Sequence, residues 1–486
     1  MDPYSGVVGL VSLAVFALHG TDGILSRDLG IYAYAGQQVA DGVPPYVGVL
    51  NRAGPLAHLL PGLGAALARL MGMDDLLGIR LLFLLMAVGC VVLVHLLGRD
   101  LFGSPWAGVA SAAAFLSFSG FIVFASSGPR EKTPMLLFLL LALLAAGRRR
   151  WLVAGFLLGL ATLVLQIILT VGAPALVVAA LLGEHGRGRL TACLRVAAGG
   201  ATALAVAVLY FVVVGHLHDF VEGFVTINAT YTQAGPWGAG DWARVVRGYG
   251  ASTAILVGGL VALPVLAVGA HRRSDPATPM LVGLTVGAVT GVAWMARDFD
   301  SWPDVFPVLP LAALGAGGIV TALARRLDHR RGIALTVAWS LVATGLALTF
   351  SLGERDDRLV AQRRSVDAVL AVLPDATIVS LQAPQPLVLA GRRNPTRHQM
   401  FSNGLADYVD DTWPGGLPGF QQQILDTRPD LIAIGTPGNK QWRRAMGVDY
   451  TRVGRAPGWI WMARRSLGPE VLQRLTDGLR SGAPAR

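Results

Sequence analysis

Seven of the carboxylates that lie outside the apolar runs of this chain are candidates for chemistry: Asp22, Asp28, Asp41, Glu131, Asp298, Asp300 and Asp304. A carboxylate beside a bilayer is costly unless it has a partner or a task. Asp28 follows the first apolar run. Read locally, it is a helix N-cap that accepts backbone N–H groups and suits the helix dipole. Read chemically, it is a base that takes the proton of an attacking hydroxyl. Glu131 stands in Gly128-Pro129-Arg130-Glu131-Lys132. It is either a salt-bridge partner of Arg130 or Lys132, or a second acid that orients base or acceptor, or holds a cation. The third cluster is Arg297-Asp298-Phe299-Asp300-Ser301-Trp302-Pro303-Asp304. It reads as an interfacial belt with Trp302 at head-group level. It reads equally as a mouth for an amphiphile with a phosphate head, which Arg297, Arg130 and Lys132 would neutralise.

Composition says what kind of element must hold these groups. Of 486 residues, 53% are hydrophobic and only 14% charged, against roughly 25% charged in soluble domains. A large soluble enzyme and a disordered chain are both excluded. Apolar segments near 5–20, 77–97, 105–125, 133–147, 151–166, 169–183, 193–215, 251–271, 277–295, 306–324 and 332–352 make 11 candidate membrane spans. The run 151–183 is divided at Gln166, because about 33 residues exceed one crossing.

Charge placement orients the spans. With the N-terminus in the cytoplasm, the short inner loops hold Arg99, Arg148 to Arg150, Arg187 and Arg189, Arg272 and Arg273, and Arg325, Arg326, Arg330 and Arg331. That is the positive-inside pattern. The outer face receives 21–76, 216–250, 296–305 and the tail. The net charge of +10 comes almost wholly from Arg, since Lys occurs only at 132 and 440. It is read as topogenic, with no nucleic-acid partner. Of 30 acidic residues, 13 lie in 353–486, which marks a membrane domain, 1–352, followed by a water-soluble domain, 353–486.

Within the first outer loop, 29–41 reads as an amphipathic helix stopped by Gly42 and Pro44. Residues 55–72 read as an interfacial or re-entrant helix. The tail alternates a helix (359–372), strands (377–381 and 430–435) and a closing hairpin (450–453 and 459–463), which suggests a small α/β domain. Trp413, Trp442 and Trp459 are core residues in one reading and sugar-stacking platforms in another. His216-x-His218-Asp219 is a weak metal motif that needs further ligands. Cys90 and Cys193 make neither a disulfide framework nor a metal site.

The first loop carries a resemblance. Arg27-Asp28-Leu29-Gly30-Ile31-Tyr32-Ala33-Tyr34-Ala35-Gly36-Gln37-Gln38, then Asp41-Gly42-Val43-Pro44-Pro45-Tyr46, then Gly54-Pro55-Leu56, resemble the GT-C superfamily of polyprenyl-phosphate-sugar-dependent glycosyltransferases, in its ArnT/RgtA-like branch related to protein mannosyltransferases. Glu131 to Leu141 and Asp304 to Pro310 resemble later motifs more loosely. The resemblance implies an α-helical polytopic membrane fold with about 11 transmembrane helices, N-in and C-out, and a small C-terminal α/β extracytoplasmic domain. It implies an inverting glycosyltransferase of the bacterial plasma membrane, working on the extracytoplasmic side. A polyprenyl-phosphate sugar is the implied donor, and a glycan, lipid or protein the implied acceptor. Asp28 is then the catalytic base, with Glu131 assisting. Arg27, Tyr32, Tyr34, Arg52, Arg130, Lys132, Arg297, Asp298 and Asp304 are the substrate-binding candidates. No cofactor is assigned, and a divalent cation is left open. The chain departs from the family where Leu50-Asn51-Arg52-Ala53 replaces a Trp-Asp-x-Lys stretch, so that Ala53 stands at the Lys position with Arg52 beside it. Asp304 stands where a late His or Tyr is common. A lipid-glycan binding or translocating protein without transferase chemistry is the alternative, and an assembly partner a third.

Overall fold

The computed structural model describes residues 3–232, 235–238, 240–436 and 440–481. Among them, seven helices are long and apolar enough to cross a membrane, and a bent pair makes an eighth. Pro3–His19, Leu56–Leu70, Lys132–Gly147 and Trp151–Val164 are shorter apolar helices. The chain is a multi-pass membrane protein. Each of the 11 apolar runs is helical, and the break expected at Gln166 is present as a 3-10 turn between Trp151–Val164 and Leu169–Gly183. The run 105–125, expected as one span, is instead Pro105–Leu116 and Ser119–Ser127, bent by 76°. The Ser117 hydroxyl donates back to the Ala114 carbonyl at 2.7 Å, while the Ser119 hydroxyl leaves the helix axis to donate to the Gly248 carbonyl at 2.9 Å. Serine hydroxyls of this kind compete with the helical ladder, and an apolar average does not register them.

The chain forms two compact units, each gathered from separate stretches of sequence. The first holds 1–20, 81–210 and 234–355. Its helices approach through small residues. A Cβ at Gly283 would lie 2.5 Å from the Ala175 carbonyl oxygen, and one at Gly287 2.7 Å from that of Val171. Only glycine at this i, i+4 spacing lets Thr278–Arg297 press backbone to backbone on Leu169–Gly183.

The second unit holds 21–80, 211–233 and 356–486. Its helix Arg27–Ala40 packs on Leu56–Leu70, where a Cβ at Gly36 would meet Pro61 at 2.6 Å. Its tail carries one sheet of four strands, β1 (Ile378–Leu381), β2 (Leu431–Gly435), β3 (Tyr450–Ala456) and β4 (Trp459–Arg464), in the order β1-β2-β4-β3. β1 and β2 are parallel, with Ile378 opposite Leu431. β2 and β4 are antiparallel, and β3 and β4 close as a hairpin. β1 and β2 are buried along their whole length, as strands covered on both faces must be. Trp459 and Trp442 are enclosed in the core of the tail, so the packing reading holds for both; Trp413 is half-buried against His398 and Phe420.

Candidate functional site

Asp28 lies in the second unit, in the first turn of Arg27–Ala40. The helix begins two residues earlier than the sequence pattern placed it, and the N-cap is Ser26, whose hydroxyl accepts the Leu29 N–H at 3.3 Å. The N-cap position thus belongs to Ser26 and not to Asp28. Its carboxylate is 39% exposed and pairs with the Arg27 guanidinium at 3.2 Å. The stretch leading into it is pinned from two sides. Arg80 donates to the carbonyls of Thr21 and Gly23. The fully buried Gln362 accepts the Leu25 N–H and donates to the Leu25 carbonyl, both at 2.9 Å. Sequence reasoning missed both residues, because their partners are far away along the chain.

The other candidates of this unit are held by the tail and by 211–233. Tyr34 is buried, and its hydroxyl accepts the Asn394 N–H at 2.9 Å; burial raises its pKa. Tyr32, on the same helix, is half-buried. Arg52 donates to the Thr232 hydroxyl at 3.3 Å, and its carbonyl accepts from Asn228 at 2.9 Å. Beside it, Asn51 accepts the Ala53 N–H and bonds the buried His58 ring, both at 3.0 Å. Tyr46 is fully buried and donates to the Ala53 carbonyl at 2.7 Å. The atypical segment 50–53 is thus tightly built.

The first unit holds the remaining candidates. Glu131 is 4% exposed and pairs with Arg130 at 3.1 Å, which is the local salt bridge. Arg130 also stands over the Phe124 ring. Lys132 reaches Asp304 at 2.7 Å, and the second Asp304 oxygen accepts the N–H groups of Asp300 and Ser301 at 2.9 and 3.0 Å. Asp304 thereby closes a capping box with Ser301 at the start of the turn Trp302–Val308. Trp302 stacks on Phe124 at 5.0 Å and fills the gap left by Gly120 and Gly248. Arg297 is exposed near the Trp294 ring, and Asp298 accepts the Gly235 N–H at 3.3 Å. The structure so brings together Arg27 with Asp28, Arg130 with Glu131, and Lys132 with Asp304.

The His216 and Asp219 pair belongs to an ion network of the second unit. Arg397 bridges Asp219 at 2.8 Å and Glu222 at 2.7 Å, and Tyr408 donates to Glu222. Burial, and then the Glu222 carboxylate, push the Tyr408 pKa up to about 12. Among the described residues, no group of three or more His, Cys, Asp or Glu side chains is placed to hold a metal ion.

Residues 54–212 match the family model described as dolichyl-phosphate-mannose-protein mannosyltransferase. No curated protein matches the sequence. ArnT from Cupriavidus metallidurans in the apo state aligns with a TM-score of 0.64 at 14% identity, over 99% of this chain and 98% of that one. The structure of that ArnT bound to undecaprenyl phosphate gives 0.63 at 15% identity, over 96% and 98%. An Archaeoglobus fulgidus oligosaccharyltransferase tethered to an acceptor peptide with the NVT sequon gives 0.54 at 12%, over 95% of this chain and 74% of that one. The fold is of the GT-C type, as the first-loop motif implied.

Proposed function

We propose that this chain is an inverting membrane glycosyltransferase. It moves a sugar from a polyprenyl-phosphate donor to a glycan, lipid or protein hydroxyl on the extracytoplasmic face. The acceptor oxygen attacks the sugar C1 as the C1–O bond to the lipid phosphate breaks on the opposite side. Asp28 takes the hydroxyl proton, and the phosphate leaves on the lipid with the bonding pair. The observation that carries this reading is the division of labour at the helix start. Ser26 is the N-cap, and Asp28, in the first turn, keeps a carboxylate that is 39% exposed beside Arg27.

The donor class is supported by the fold shared with ArnT, which has been solved with undecaprenyl phosphate, and by the family model over 54–212. Charge on the departing phosphate needs fixed cations. Arg27 and Arg52 lie in the same unit as Asp28 and are the cations assigned to this task. Glu131, buried and paired with Arg130 in the first unit, is retained as a positioning candidate.

The test is sugar transfer from a radiolabelled polyprenyl-phosphate sugar by the purified chain. Asp28→Asn is expected to abolish transfer while donor binding survives. Full transfer by that variant removes the mechanism. Donor binding without turnover by the wild type selects the binding or translocating protein instead.

A further inference from the structure

The first unit contains a cavity of about 420 Å³ that the proposed chemistry does not use. It lies where five apolar helices end: the C-termini of Asp75–Phe102, Lys132–Gly147, Ser252–Arg272 and Leu309–Ala324 and the N-terminus of Thr278–Arg297. Its volume is that of a small-molecule site. The inner wall is apolar, with Leu97, Leu266 and Leu281 all buried. The rim carries Arg273 and Arg325, both exposed, and two carboxylates.

The carboxylates do not cancel the arginines. Asp100 is already paired with Arg99 at 2.8 Å and Arg148 at 3.3 Å. Asp275 folds back on its own turn, accepting the Ala277 N–H at 2.9 Å. With Arg99 and Arg148 counted, the rim has a surplus of positive charge. Arg325 is also oriented, since it donates to the Phe102 carbonyl. A basic rim over an apolar wall, at the level where spanning helices meet the head groups, matches one amphiphile chemistry. A free inorganic anion would find the arginines but has no use for the leucines.

We propose that this cavity binds an anionic phospholipid, its phosphate between Arg273 and Arg325 and its glycerol and upper acyl carbons against Leu266 and Leu281. The arginine-rich loops put this end of the bundle on the inner face, so the site is separate from the proposed transfer chemistry.

Native mass spectrometry of the full chain in neutral detergent tests this. The chain is titrated with phosphatidylglycerol, with phosphatidylcholine, and with phosphatidylglycerol in competition with millimolar inorganic phosphate. Phosphatidylglycerol is expected to be retained in preference to phosphatidylcholine and to resist inorganic phosphate. Arg273→Gln is expected to weaken retention about fivefold, and the double variant with Arg325→Gln further. Arg330→Gln, an exposed arginine of the same face outside the cavity, is expected to leave it unchanged. Because Arg325 also holds a backbone carbonyl, Arg273→Gln is the deciding variant. Ala322→Phe, which narrows the cavity without changing charge, is expected to reduce retention as well. Equal retention of the two lipids, displacement by inorganic phosphate, or undiminished binding by Arg273→Gln overturns the proposal.

Discussion

Two oxygen-bearing side chains two residues apart, Ser26 and Asp28, divide a task that either could perform. Both residue types cap helices well, and the local sequence offers no reason to choose between them. The fold chooses by starting the helix at Arg27. Ser26→Ala is therefore expected to cost about 1 kcal/mol of stability with transfer rate nearly unchanged. Asp28→Asn is expected to keep the melting temperature and lose about a hundredfold or more in rate, the range for a general base. Melting curves and initial rates of the two variants separate the roles; equal stability losses would return Asp28 to capping. A second residue-scale expectation concerns pH. His398 packs against Tyr408, Trp413 and Phe420, and burial, with the neighbouring Arg397 charge, lowers its pKa to about 4. An unfolded histidine titrates near 6.5. Above pH 6.5 both states are neutral and stability is full. Between about 6.5 and 4 only the unfolded state takes a proton, so stability falls as pH falls, by on the order of 3 kcal/mol at most. His398→Gln is expected to flatten the loss of melting temperature between pH 7 and pH 4.5; an unchanged slope assigns it to other groups.

Elements explain why the acids of the third cluster were legible as a group but not in their roles. Their spacing is local and visible, whereas the partner of Asp304 is 172 residues away along the chain. Lys132 and Asp304 tie the start of Lys132–Gly147 to the turn Trp302–Val308, at 6% and 20% side-chain exposure. Removing one partner leaves a charge buried with less than its share of bonds, which costs about 3 kcal/mol. Lys132→Met and Asp304→Asn are each expected to destabilise the chain, and the double variant by less than their sum, leaving a coupling of about 2 kcal/mol in a mutant cycle. A substrate-contact role predicts the other pattern: a raised donor KM with additive, small stability changes. The same distinction runs through the helices. Periodic apolar runs and turn residues were enough to mark where the chain is helical and where the tail alternates, with the run 105–125 being two helices and not one. The 76° bend after Leu116 was hidden, because the Ser119 hydroxyl beside it finds its partner, the Gly248 carbonyl, 129 residues along the chain.

For the whole molecule, topology follows from which segments fold together. The second unit is one compact body made from 21–80, 211–233 and 356–486. Polar backbone is not drawn across a hydrocarbon layer, so these three stretches must emerge on one side. The chain must then cross an even number of times between 80 and 211, and again between 233 and 356. The later interval satisfies this with four helices: Ser252–Arg272, Thr278–Arg297, the one ending at Ala324, and His329–Gly353. In the earlier interval, the three longest apolar helices alone give an odd count, which parity rejects. Adding the bent pair gives four crossings. Adding Lys132–Gly147 and Trp151–Val164 as well gives six, and with Pro3–His19 a total of 11. Both even counts satisfy parity, but they send the loop of Arg148 to Arg150 to opposite faces. Six crossings place it with the other arginine-rich loops; four leave it on the face of the tail, against the positive-inside pattern. The expectation is six. In a chain with Cys90 and Cys193 replaced, a cysteine at the exposed Val448 of the tail is expected to react with a membrane-impermeant maleimide in intact spheroplasts. A cysteine at Arg150 is expected to react only after permeabilisation. Labelling of both in intact spheroplasts selects four crossings and leaves Lys132–Gly147 and Trp151–Val164 uncrossed, with their connecting loop in water on the face of the tail.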